Sequence, residues 1–205
     1  MFLITSYKAL RKLKSMLFQP IYTPIARVLF YLNGATVGKY LNVNGFLQME
    51  VTRRGKLMIG ESLHLNSGQY LNVIGCQQNC IFWVEGVLSI GNNVGMSSTA
   101  IICNHQITIG NNVVIGGNTV IYDTDFHSLD AEIRNDKILD KHSAKKAPVC
   151  IGDNVFIGAH TTILKGVTIG NNAVIGACSL ITKNIPANEV WAGNPTKFIK
   201  KINLS

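Results

Sequence analysis

Residues 151–188 read IGDNVFIGAHTTILKGVTIGNNAVIGACSLITKNIPAN. Within them Ile151, Ile157, Ile163, Ile169, Ile175 and Ile181 fall six apart without a break. Ile accounts for 24 of the 205 residues, so five further hits from a given starting Ile have a chance probability of about 2 × 10⁻⁵. The same spacing extends outward as Ile109–Ile115–Ile121, as Val84–Ile90–Met96–Ile102 and as Ile59–Leu65–Leu71. Glycine follows many of these aliphatics, as at Gly60, Gly91, Gly110, Gly152 and Gly170. The unit IGNNV or IGDNV occurs at 90–94, 109–113 and 151–155, with a near copy at 169–174.

A helix would place apolar residues at three- and four-residue spacing, and a half-buried strand would alternate them. One large aliphatic every six residues fits neither. It fits a chain wound into triangular coils of short strands, each aliphatic pointing at the axis and stacking on its equivalents above and below. The Gly and Asn that follow allow the positive φ of a sharp corner. Each coil then buries its core only against its neighbours.

Composition agrees with such a core. Apolar residues make up 47% and charged residues 15%, which excludes a disordered chain. The 19 glycines follow no glycine-x-y period, which excludes collagen. The net charge of +8 is unevenly placed: residues 1–56 carry nine Lys and Arg and one acid, Glu50, whereas residues 57–205 carry ten of each. The basic excess therefore points to an anionic surface near the N-terminus and not to nucleic acid. Five cysteines (Cys76, Cys80, Cys103, Cys150, Cys178) form no C-x2-C pair and read as reduced thiols, as expected in the cytoplasm. The longest uncharged run at the N-terminus, Ser15 to Ala26, is well short of the roughly 20 apolar residues a spanning helix needs.

Three stretches carry a resemblance: VVIGGNTVIYDTDFHSLD (113–130), residues 151–188, and WAGNPTKFIKKI (191–202). With them the chain resembles the hexapeptide-repeat acyltransferases over roughly residues 57–200, in the sugar O-acetyltransferase branch of galactoside, maltose and capsular-polysaccharide enzymes. The resemblance implies an all-β fold, a left-handed parallel β-helix over residues 39–186. It places a closing strand with a short C-terminal helix at 187–205, whereas residues 1–38, where the chain departs from the soluble galactoside and maltose enzymes, read as a basic helical segment from their own spacing. It also implies an acetyl-CoA donor, a saccharide acceptor of the kind used in bacterial surface polysaccharide synthesis, a homotrimer, and no metal.

The period vanishes between Ile121 and Ile151. Residues 122–149 are polar, and long excursions from compact folds tend to be functional. The resemblance puts the catalytic base at the His of DTDFH, His127. A sugar hydroxyl is a poor nucleophile near neutral pH, and an imidazole is suited to take its proton. Asp123 and Asp125 stand close enough in sequence to hold the imidazole tautomer. His64, His105, His142 and His160 read as structural or solvated.

For the donor, the resemblance carries over Phe156, Ala159, Ala177, Thr182, Lys183, Lys197 and Lys200. Phe156 replaces a frequent Trp, and the two terminal Lys replace Arg, losing the bidentate fork for phosphate. In GMSSTA (95–100), Ser97 and Ser98 are candidates to bond sugar hydroxyls across a subunit boundary, or small residues filling a tight corner.

At the N-terminus, Leu3, Tyr7, Leu10, Leu13 and Leu17 follow helical spacing. A second helix is expected from Thr23-Pro24 to Gly34. Its apolar face would cap the first coil; residues 1–38 could alternatively rest on an anionic membrane, where each Lys or Arg contributes about 1 kcal/mol. Two other classes stand beside the acetyltransferase: a non-catalytic repeat scaffold, which needs no His-bearing loop, and a zinc carbonic anhydrase on the same coil, which needs three His ligands.

Overall fold

The computed structural model describes residues 2–68, 72, 74 and 78–203. Leu71 and Cys76 lie outside the described residues, as do the side chains of Leu3, Arg11, Lys14 and Leu17. A long helix, α1 (Phe2–Leu32), leads into short strands that form three parallel sheets. Successive strands visit the first, second and third sheet in turn. This is the triangular winding that the six-residue period predicts.

Each sheet contributes one inward column. In the first, Ile59, Ile90, Ile109, Ile151 and Ile169 lie in register. In the second, Leu65, Met96, Ile115, Ile157 and Ile175 do the same. Phe82, Ile101, Ile121, Ile163 and Ile181 form the third. All fifteen are buried. Two details correct the sequence reading. Ile102 is not the inward residue of its strand: Ile101 is, and Ile102 sits on the outer face opposite Trp83. A shift of one residue exchanges the two faces of a strand. The glycines after the core isoleucines also serve a different purpose. Positive φ is taken by Asn93, Asn112, Asn154, Asn172 and Asn188, with φ from 56 to 59°. Their amides stack from coil to coil at 2.8–3.1 Å. The glycines permit close approach instead: a Cβ on Gly158 would stand 2.4 Å from the Ala177 backbone nitrogen, and on Gly170 2.4 Å from that of Ala187.

The ends of the coil differ from expectation. The N-terminal region is one helix, with Pro20 and Pro24 inside it. The Thr23 hydroxyl accepts from the Val43 N–H at 2.9 Å, and Ala26 and Phe30 bury against the first coil. These contacts hold the chain helical where proline alone would end a helix. At the other end, the expected C-terminal helix is the strand Lys197–Lys201, antiparallel to Glu189–Ala192. Phe198 packs edge-on against Trp191, a cross-strand contact that a helix would not offer.

The excursion leaves after Val120–Tyr122, at the corner between the third and first sheets, and the coil resumes at Val149–Ile151. It contains two short helices, α2 (Ala131–Arg134) and α3 (Lys137–Ser143), N-capped by the carboxylates of Asp130 and Asp136. Its two stems meet where Thr124 bridges Lys146 and the Ala147 N–H donates to the Asp123 carbonyl.

Candidate active site

His127 follows Phe126, whose φ of 63° is rare for a bulky residue and turns the chain sharply. One residue on, the Ser128 N–H donates to Oδ1 of Asp140 at 2.6 Å. The other carboxylate oxygen, Oδ2, lies 2.6 Å from His127 Nδ1. Asp140 is buried on α3, so a helix inside the excursion supplies the carboxylate that fixes the ring. The His127 hydrogen bond, followed by the Ser128 N–H, holds the Asp140 carboxyl below the usual carboxylate range. An ionised carboxylate accepts only, so Nδ1 carries the hydrogen and Nε2 presents a lone pair. The ring is open to solvent on its other side, with 68% of the side chain exposed.

The imidazole lines a cleft of about 450 Å³ with Asn104, Phe126, Lys137, Asp140, Lys141 and Lys146. Asn104 comes from the preceding coil. Its Oδ1 is buried and has no hydrogen-bond partner among the described residues, and leaving such an acceptor unsatisfied is costly. It is an acceptor for which the described residues provide no donor.

Asp123 and Asp125 do not hold the imidazole. Asp123 is fully buried and accepts from the backbone N–H groups of Asn104 and His105 at 2.7 and 2.8 Å, closing the coil corner beneath the loop. Asp125 pairs with Lys165 of the next coil at 2.8 Å. Their proximity to His127 in sequence thus serves the anchoring of the excursion. Asp140 and Asn104 escape sequence reasoning because neither is near His127 in the chain. A partial signal existed for Asp140: Asp130 and Asp136 stand at N-cap positions and are occupied elsewhere.

The remaining candidates lie at other places on the coil. Ser97 and Ser98 occupy the corner between the second and third sheets, stacked in line with Ala159 and Ala177. Ser97 is half-buried, whereas Ser98 is fully buried with its Oγ unpartnered. Within the chain, Ser98 therefore fills a corner and does not present its hydroxyl to the His127 cleft. Phe156 is exposed on the second sheet. Thr182 and Lys183 follow the third sheet, on the column of corners that carries the excursion, and Lys183 lies over the Trp191 ring at 5.1 Å. Lys197 and Lys200 project from the final strand. The donor candidates thus span two corners and one end of a single chain. Of the other histidines, His160 meets Asn118 at a corner and His64, His105 and His142 are exposed. No cluster of three His, Cys, Asp or Glu able to hold a metal occurs among the described residues.

A three-sided parallel coil of six-residue period is the architecture of the hexapeptide-repeat class. The bacterial transferase hexapeptide model matches residues 151–183. The galactoside O-acetyltransferase of Escherichia coli K12 is 38% identical over 130 residues, 59% of this chain and 61% of that protein. A putative acetyltransferase of Schizosaccharomyces pombe is 46% identical over 96 residues, 47% of this chain and 44% of the relative. The chain therefore matches between about two-fifths and three-fifths of these curated relatives' length. Among solved structures, a galactoside acetyltransferase in complex with coenzyme A superposes with a TM-score of 0.53 at 31% identity, covering 82% of this chain and 65% of that one. A maltose O-acetyltransferase from Clostridium difficile 630 gives 0.58 at 29% identity, covering 99% and 89%. The chain thus carries the hexapeptide repeat over residues 151–183 and is similar beyond it to sugar O-acetyltransferases, and its coil is the left-handed parallel β-helix.

Proposed function

We propose that this protein transfers an acetyl group from acetyl-CoA to a saccharide hydroxyl, with His127 as general base. The observation that carries this reading is the 2.6 Å contact between His127 Nδ1 and the Asp140 carboxylate, which leaves Nε2 as the basic nitrogen in an open cleft. Two of the relatives and neighbours are named as sugar O-acetyltransferases, and one neighbour holds coenzyme A.

The transfer is direct. Nε2 takes the proton of the acceptor hydroxyl as its oxygen attacks the thioester carbonyl. The new C–O bond forms, the C–S bond breaks, and the imidazolium returns the proton to the departing thiolate, giving free CoA. Asp140 is a positioning residue: it fixes the tautomer and stabilises the imidazolium between the two steps. Asn104 Oδ1 accepts a hydrogen bond from the acceptor. No covalent acyl-enzyme is needed. Lys183, Lys197 and Lys200 are exposed and make no ion pair among the described residues, which suits them to the anionic donor, with Phe156, Ala159, Ala177 and Thr182 along its arm.

A base 68% exposed is poorly shielded from water, and Ser97 stands at a different corner from the excursion that carries it. A homotrimer resolves both points by placing the second-to-third-sheet corner of one copy against the excursion of the next, with Ser97 facing the cleft. The four cysteines among the described residues are unpaired thiols, which suits a reducing compartment, and we place the reaction in the cytoplasm, acting on a bacterial surface-polysaccharide precursor.

The test is release of the CoA thiol from acetyl-CoA, measured over a panel of amino sugars, nucleotide sugars and lipid-linked oligosaccharides. His127→Ala should abolish turnover and leave the fold and oligomeric mass unchanged. Turnover that survives the substitution refutes the assignment of the base.

A further inference from the structure

The first turns of α1 stand clear of the core. Every described side chain from Ile4 to Leu13 is exposed, although a helix in water is held chiefly by packing one face against something. Many of the residues left bare on α1 are large and apolar. Tyr7, Leu10, Ile21, Ile25, Val28 and Leu32 are all exposed, Leu10 by 71% and Leu32 by 74%. At 3.6 residues per turn they fall within an arc of about 60°. Its described members lie towards the two ends of the helix, on the side nearly opposite Ala26 and Phe30, which bury against the coil, and by helical count Lys14 falls within the same arc between them. Helix α1 is thus apolar on two faces, and the coil covers only one of them over its second half.

Charge decides what covers the other. Helix α1 carries Lys8, Arg11, Lys12, Lys14 and Arg27 and no acid, and the first acid of the chain is Glu50. A second copy laid on this stripe would find no acid on the helix with which its own cations could pair. The steps along the stripe also average the 3.6 of a straight helix, not the 3.5 that winds helices around one another, so the stripe suits a flat surface. Lys8 and Lys12 occupy the opposite half of the helix, where a helix sunk to headgroup depth keeps its cations among lipid phosphates. No helix among the described residues is long and apolar enough to cross a bilayer.

We propose that α1 lies flat on an anionic bilayer, apolar stripe inward, with the coil standing on its other side. The site of acetyl transfer would thereby be held close to acceptors carried on lipid. This reading is independent of the reaction assigned to His127.

The experiment is co-sedimentation of the full-length protein with vesicles of phosphatidylcholine alone, or of equal parts phosphatidylcholine and phosphatidylglycerol. Binding is expected to the anionic vesicles, and should be lost at about 1 M NaCl, where the screening length is about 3 Å. Lys8→Gln with Lys12→Gln should weaken it about 30-fold, the change that about 1 kcal/mol per neutralised lysine produces. Tyr7→Glu with Leu10→Glu should abolish it without altering thermal unfolding of the coil, since neither side chain touches it. Equal binding to both vesicle types, or none to either, overturns the proposal. So does a fall in oligomeric mass in Tyr7→Glu/Leu10→Glu, which would make the stripe an interface between copies.

Discussion

Replacing Asp140 by Asn tests the site more sharply than replacing it by Ala. The carboxylate accepts twice, from the Ser128 N–H and from His127 Nδ1, both at 2.6 Å. An amide has one oxygen and one NH₂ group, so it satisfies only one of those donors. The Ser128 N–H is fixed by the backbone and cannot turn into an acceptor; the imidazole can. In Asp140→Asn the amide oxygen therefore stays on Ser128 and its NH₂ faces Nδ1. The ring must then carry its hydrogen on Nε2, the nitrogen that should take the hydroxyl proton. A base held in the wrong tautomer loses between about 10²- and 10⁴-fold in turnover. In Asp140→Ala the ring loses its support but chooses its tautomer freely, so the loss should be smaller. The order of kcat is thus wild type, then Ala, then Asn, measured as CoA release at saturating donor. Nitrogen-15 shifts of His127 should show Nδ1 protonated in the wild type and Nε2 protonated in Asp140→Asn. An Asn variant within tenfold of wild type, with its tautomer unchanged, would refute the reasoning.

Other consequences are open to measurement. Gly158→Ala forces a Cβ to 2.4 Å from a backbone nitrogen of the next coil; such overpacking costs about 1–3 kcal/mol, and the melting temperature by calorimetry should fall by about 2–12 °C. The Asp140 carboxyl is held below its ordinary value, so its contribution to stability is full above the unfolded-state value and is lost as pH falls through the lower folded value. Acid unfolding of Asp140→Asn should accordingly be less steep at the low-pH end than that of the wild type. Burial pushes the Cys80 thiol up to about 11, and burial with the nearby Asp123 charge pushes Cys103 up to about 12. In a mass-spectrometric alkylation series at mild alkaline pH, both should stay unlabelled in the native protein while exposed Cys178 reacts.

The coil was legible in the sequence because its constraint is periodic. Stacked coils impose the same requirement on every sixth residue, and the isoleucines record it. The single slip, Ile102 for Ile101, came where the period breaks at the Ser98 corner and two adjacent isoleucines compete for one inward position. The excursion was legible through the break, and its DTDFH motif is what singles out His127 as the proposed base. Its partner was not: the excursion holds six acids between Ile121 and Ile151, and only folding shows that α3 brings Asp140 back thirteen residues to the ring. Asn104 was hidden for the same reason, since its neighbours in space come from the next coil. The ends deceived for a different one. Proline signals a helix break from local stereochemistry, but Thr23, Ala26 and Phe30 bind the first coil and override it, and the basic C-terminal run found a strand edge to pair with.

The excursion interrupts the chain without interrupting the stack. Asn111 bonds Asp153 across 42 residues of sequence, and Asp153 bonds Asn171 across 18, with the same side-chain-to-backbone contact. The spindle therefore does not register how much polypeptide is looped out at that corner. Such a joint lets the His127-bearing insert be lengthened, shortened or exchanged while the body that carries it stays as it is, with no need to rebuild the support.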